Sequence, residues 1–174
     1  AAIQTGLLSK TPSTEGMVYS NTTSTNIAEF TGNASPQTSE LTVVMRLCSY
    51  GSQPDSGFGT ALILPVISGG VQTPFSYFVK NAGCRVRFNT STSDDTANYW
   101  ETNESWVSNK WTTVVVRWAS GEPADIIKDN VSLSLSSSAG SKTGNIKSTD
   151  RLGVNLAALR FNGAIAYAYI FGRK

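Results

Sequence analysis

The sequence contains no histidine. That removes Ser-His-Asp and Cys-His nucleophilic schemes, together with every histidine-ligated metal site. Cysteine is nearly as scarce. Cys48 and Cys84 are too few for a disulfide framework or a closed cysteine zinc site. They read as two small buried hydrophobes or, if their strands are neighbours, as one bridge. Neither has a base close by in sequence to activate it as a nucleophile. Charged residues are thin, at 15%, against about a quarter in ordinary domains. The formal net charge is only +2, so no nucleic-acid partner is expected. No apolar run reaches the roughly 18 residues that span a bilayer, so no membrane partner is expected either. No signal-peptide pattern is visible. The opening Ala1-Ala2 fits removal of an initiator methionine, or of a leader already gone.

Paired acids are also missing. Glycoside hydrolysis needs two carboxylates facing the scissile bond. Glu101 and Glu104 lie three apart, so on a strand they would face opposite ways, and the stretch reads as a solvated loop. Asp94-Asp95 is the one adjacent acidic pair, while Asp125, Asp129 and Asp150 are scattered. The expectation is therefore no enzyme, no catalytic residue and no metal centre.

What the chain does have is uncharged polarity and period-two alternation. Ser, Thr and Asn suit strand faces and turns better than exposed helices. Residues 41–48, 75–80, 84–88, 111–118, 131–136 and 164–171 each alternate apolar and polar, or large and small, side chains. Alternation over such lengths marks half-buried strands. The expected core is Val43, Met45, Val86, Phe88, Val114, Val116, Leu133, Leu135, Ile165 and Tyr167. Turn clusters separate the runs. Asn81-Ala82-Gly83 reads as a tight hairpin with Gly83 at positive φ. Residues 61–67 form a continuous apolar run, either a strand buried on both faces or one covered by a partner. Helical periodicity is absent apart from one short turn near 151–159. Many short strands with regular turns predict an all-β fold, a two-sheet antiparallel sandwich.

Residues 1–25 differ in texture, rich in Ser and Thr with brief apolar punctuation. They read as an N-terminal arm, followed by a single β-sandwich domain over 26–174. Ordering such a segment costs about 1–2 kcal/mol per residue. Something must hold it, either the sandwich or, as favoured here, the sheet edge of a neighbouring subunit.

Three segments carry a resemblance. Asn109-Lys110-Trp111 with the alternating run to Trp118 resembles the laminin G and concanavalin A-like strand that opens on Trp. Asp129-Asn130, leading into Val131, resembles the hairpin where that family has Asp-Gly or Asn-Gly. Phe161-Asn162-Gly163-Ala164-Ile165, continuing through Tyr167, Tyr169 and Phe171, resembles its closing strand. The resemblance covers roughly residues 27–174 and implies a concanavalin A-like, laminin G-like jelly roll. It says little about ligand, because that superfamily includes lectins, adhesion domains, glycosidases and viral surface proteins. It also implies a calcium option at a loop rim, with Asp94 or Asp95 as ligand. The alternative is a polar loop whose aspartates cap turns.

Two candidate sites follow. Tyr99, Trp100 and Trp106 fall in a polar stretch and suit stacking on pyranose rings, or else plug the end of the sandwich. Trp111 and Trp118 read as core. Arg46, Arg85, Arg87 and Arg117 sit at polar-facing strand positions. If their strands share a sheet they form a basic stripe for an anionic glycan or a neighbouring subunit. Otherwise they are solvated side chains on a sheet face. Five Asn-x-Ser/Thr sequons, at Asn21, Asn33, Asn89, Asn103 and Asn130, carry meaning only in a eukaryotic secretory pathway.

The expected role is a non-enzymatic structural or decoration protein of an extracellular assembly, most concretely the capsid or tail surface of a bacteriophage virion, with weak glycan binding. The alternative is a free-standing carbohydrate-binding module or lectin. Expected partners are other virion or assembly subunits, cell-surface glycans and further copies of the chain. The expected location is the virion surface or the extracellular space.

Overall fold

The computed structural model describes residues 3–4, 8–13, 16–21, 28–35, 38–51, 53, 58–64, 75–81, 83–88, 99–104, 106–139, 143–146, 149–154 and 161–173. Among these residues there is no helix. The strands are β1 (Ile3–Gln4), β2 (Leu8–Ser13), β3 (Gly16–Asn21), β4 (Ala28–Ser35), β5 (Glu40–Ser49), β6 (Phe58–Leu64), β7 (Phe75–Lys80) and β8 (Gly83–Phe88). They continue as β9 (Tyr99–Thr102), β10 (Trp111–Ala119), β11 (Asp125–Lys128), β12 (Val131–Ser132), β13 (Ser137–Ala139), β14 (Thr149–Val154) and β15 (Gly163–Phe171).

They form two antiparallel sheets. One has eight strands in the order β1-β4-β14-β6-β7-β8-β9-β13, the other seven in the order β12-β11-β10-β5-β15-β3-β2. Alternation places the core between them. Leu41, Val43, Met45 and Leu47 of β5 face inward beside Val114, Val116 and Trp118 of β10. Opposite them lie Phe75, Tyr77 and Val79 of β7, Cys84 and Val86 of β8, and Trp100 of β9. Each Val or Leu closed off this way contributes about 1.5–3 kcal/mol relative to exposure. Cys48 and Cys84 are buried and unbridged, one in each sheet.

The hairpins obey the expected backbone chemistry. The two-residue turn between Lys80 and Gly83 sets Gly83 at φ 126°. A Cβ there would lie 1.9 Å from the Thr102 carbonyl oxygen, so both conformation and space require glycine. Asp129 and Asn130 take φ 48° and 69°, the left-handed pair that a two-residue turn of type I′ needs.

Several expectations are corrected. The strand read over 131–136 stops at Ser132, because the chain changes sheets there. The Leu133 amide bonds to the Ile126 carbonyl of the seven-stranded sheet, and the Ser136 amide to the Glu101 carbonyl of the other. Leu133 and Leu135 are consequently half-buried against the core, and Val131 is exposed. In β15 the pairing with β5 shifts between Ile165 and Tyr167. One extra residue at such a bulge exchanges the two faces of a strand. Ala168 and Ile170 therefore pack on the core, while Tyr167 leaves it and Tyr169 and Phe171 are exposed. Residues 149–154 are a strand where a helical turn was expected to begin, and 155–160 lie outside the described residues. The side chain of Phe88 also lies outside them.

Residues 1–25 supply β1, β2 and β3. β2 and β3 form a hairpin, β3 pairs with β15 through Ala164↔Ser20 and Ile165↔Tyr19, and β1 pairs with β4. This strand pairing is made within the chain, on the sandwich itself, the less favoured of the two supports expected for the arm. In the apolar run 61–67, β6 covers the first part and buries Ala61.

Candidate functional site

The sheets separate the four arginines. Arg46 on β5 and Arg117 on β10 belong to the seven-stranded sheet, Arg85 and Arg87 on β8 to the eight-stranded one. No single basic stripe exists, because the strands that carry them lie in different layers. The aromatic trio divides as well. Trp100 points inward from β9 and is buried in the core, which closes its ring to any ligand. Trp106 lies at the end of the sandwich, where its indole Nε1 donates to the Gly83 carbonyl at 2.6 Å. The Lys128 ammonium sits 5.3 Å from that ring and pairs with Glu104 at 2.8 Å, which ties β11 to this end. Tyr99 alone of the three reaches an outer sheet face. Trp111 is half-buried and Trp118 fully buried.

Register assembles a different site from members of both sets. β8 pairs with β9 through Arg85↔Glu101 and Arg87↔Tyr99, and β9 pairs with β13 through Glu101↔Ser137. With Cys84, Val86, Trp100 and Thr102 turned inward, Arg85, Arg87, Tyr99 and Glu101 share the outer face. Lys80 joins them from the end of β7. The Glu101 carboxylate is 9% exposed and is gripped from both flanks. It accepts from Lys80 Nζ at 2.7 Å, from the Arg85 guanidinium, and from Ser137 Oγ at 3.4 Å. Burial alone would raise its pKa. The hydrogen bonds and positive charge of Lys80 and Arg85 outweigh burial and hold it below the ordinary glutamate value. Arg85 also lies over the Tyr99 ring at 4.5 Å, a cation–π contact that fixes both groups.

Glu101 thus corrects the solvated-loop reading: it is a strand residue, nearly buried and twice ion-paired. Glu104 is exposed and engages the other sheet through Lys128. Lys80 and Glu101 join the site in addition to the residues expected from the sequence. Lys80 was legible as the outward end of an alternating run. Glu101 was legible only once residues 99–102 were recognised as a strand, which puts it on the Tyr99 face.

The outer face of the seven-stranded sheet is built differently. Register aligns Tyr169, Val44, Val115 and Ile127 in one row across four strands. On one side runs Tyr167, Arg46 and Thr113, on the other Phe171, Thr42, Arg117 and Asp125. Arg46 donates to Thr113 Oγ1 at 2.9 Å, and Arg117 is ion-paired with Asp125. The Tyr167 and Tyr169 rings are 5.2 Å apart, with Tyr169 56% and Phe171 42% exposed.

Among the described residues no group of three or more His, Cys, Asp or Glu side chains is placed to hold a metal ion. Asp94 and Asp95, the calcium candidates, lie outside them.

No family model and no curated protein matches the sequence. Solved structures match by shape. Mouse laminin alpha1 chain, domains LG4-5, superposes with a TM-score of 0.67 at 8% identity, covering 99% of this chain and 45% of that one. A native heptameric SAP-like pentraxin from Limulus polyphemus gives 0.60 at 12% identity, with 88% and 72% covered. Trypanosoma rangeli sialidase gives 0.53 at 14% identity, with 90% of this chain but only 28% of the sialidase covered. The chain therefore spans less than half of the laminin and sialidase chains it matches. At these identities the likeness establishes the fold, a concanavalin A-like, laminin G-like jelly-roll sandwich.

Proposed function

We propose that the chain is a non-catalytic binding domain whose ligand is an anionic saccharide, held on the outer face of β7, β8 and β9. One observation carries this reading. Among the described charged side chains on the outer face of β7, β8 and β9, Lys80, Arg85 and Arg87 against Glu101 leave +2. Tyr99 adds a half-buried aromatic ring among them. Guanidinium groups suit planar carboxylate or sulfate, and an aromatic ring suits the apolar face of a pyranose. The likeness to laminin and pentraxin structures supports a ligand-binding domain of this fold, while the sialidase likeness covers only 28% of that enzyme.

The test is binding of purified protein to dextran sulfate and to neutral dextran. Wild type is expected to retain the sulfated polymer alone, with affinity falling steeply as salt rises. Lys80→Gln with Arg87→Gln, which keeps the Arg85–Glu101 pair, is expected to lose most of that binding. Equal retention of both polymers, or none, overturns the reading.

A second reading is favoured by the exposed Tyr169 and Phe171 on the opposite face. Such residues suit docking in an extracellular assembly, of which a phage capsid or tail surface is the most concrete form. In that setting the basic face is left free for surface glycans. Co-sedimentation with a particle, with no glycan binding by the isolated monomer, favours assembly. Glycan binding by the monomer favours a free-standing lectin or carbohydrate-binding module.

A further inference from the structure

We propose that Glu101 is the internal counter-ion of this basic face, and that its carboxylate sets how tightly the face holds an anionic ligand. The inference rests on the anion-binding reading above and concerns the same site.

Geometry carries it. The carboxylate occupies the ground between Lys80 and Arg85, where an incoming carboxylate or sulfate would be held. It already takes Lys80 at 2.7 Å on one oxygen and the Arg85 guanidinium on the other. Ser137 from β13 completes its shell at 3.4 Å. The described groups that share its face are Lys80 from β7, Arg85 and Arg87 from β8, Tyr99 from its own strand and Ser137 from β13. Those four strands contain no other acid. Among the described side chains of these four strands, Glu101 is therefore the group that repels the ligand, and it engages Lys80 and Arg85. A ligand acid must either displace it or bind beside it at Arg87 and Tyr99. Both routes are weakened by the same unit of negative charge, at a depth where Coulomb terms are incompletely screened.

The measurement compares wild type with Glu101→Gln on dextran sulfate. Glutamine keeps the side chain's size and its acceptor toward Lys80 while removing the charge. The variant is expected to bind about tenfold tighter, the effect of one like charge withdrawn from beside the ligand. Its affinity should also fall more steeply with salt. Equal or weaker binding by a folded Glu101→Gln protein, while wild type binds, overturns this inference alone. If neither protein binds, the anion-binding reading falls and takes this inference with it. Should the variant fail to fold, wild type decides. Its binding is expected to tighten as pH falls from about 5 to about 3, since sulfate stays ionised while Glu101, held below the ordinary glutamate value, protonates only in that range. Affinity unchanged or weakened over that interval overturns the inference.

Discussion

The two outer faces of the sandwich follow one alternation rule and have opposite characters. The face of β7, β8 and β9 gathers Lys80, Arg85, Arg87 and Glu101 around Tyr99, with the acid gripped between its neighbours. The face of β15, β5, β10 and β11 lines up Tyr169, Val44, Val115 and Ile127, and leaves Tyr169 and Phe171 in solvent. The first is a set of mutually constrained charges. The second is an apolar surface with two polar borders. Inward positions are dictated by burial and are alike in both sheets. Outward positions are free of that constraint, so their chemistry reflects what each face meets.

The contrast breaks most severely at Gly83. Gly83→Ala forces a Cβ to 1.9 Å from the Thr102 carbonyl and strains a φ of 126°. A loss of at least about 2 kcal/mol is expected, measured by chemical denaturation. Because Gly83 joins β7 to β8 and accepts from Trp106, hydrogen exchange should show the basic face opening before the aromatic one. A smaller effect is expected from Glu101→Gln on stability, about 1–2 kcal/mol lost at pH 7 through the weakened pairs to Lys80 and Arg85.

The pH profile sharpens the comparison further. A carboxylate whose folded pKa is depressed contributes stability above the unfolded value of about 4.5. That contribution fades as pH falls through the lower folded value. Wild type should therefore lose stability below about pH 4.5 more steeply than Glu101→Gln, in thermal melts across pH. With no histidine in the chain, stability should be nearly flat between about pH 6 and 8. The smallest effect belongs to the other face. Tyr169→Ser with Phe171→Ser should change stability by no more than about 0.5 kcal/mol per site. Dextran sulfate binding should be untouched. A larger loss would mean that the exposed rings are packed on something in solution, which sedimentation would reveal.

Much of the fold was legible because burial writes itself into period two. Val43, Met45, Val86, Val114 and Val116 were readable as core, and Gly83 as a turn, from spacing alone. What misled was wherever the chain departs from a regular strand. The bulge after Ile165 moved Tyr167 outward, and the sheet change after Ser132 left Leu133 and Leu135 half in. A one-residue slip is invisible to a pattern whose period is two. The site was legible only in fragments. Arg85 and Arg87 stood out as outward residues, and Tyr99 as an aromatic in polar company. Which sheet each strand joins is decided by long-range pairing, so neither the separation of Arg46 and Arg117 nor the meeting of Arg85 with Glu101 could be read locally.

The two unbridged thiols give each sheet its own clock. Cys48 reports β5, at the heart of the seven-stranded sheet, and Cys84 reports β8, behind the basic face. Burial pushes both thiols above the ordinary cysteine range, so neither presents an appreciable thiolate to an alkylating reagent while the sandwich is closed. Alkylation in native buffer is then gated by opening. Two equal labelling rates would mean that the layers part together. A faster Cys84 would mean that the ligand face breathes while the other sheet stays shut, and peptide mass mapping would show which half of the molecule yields first.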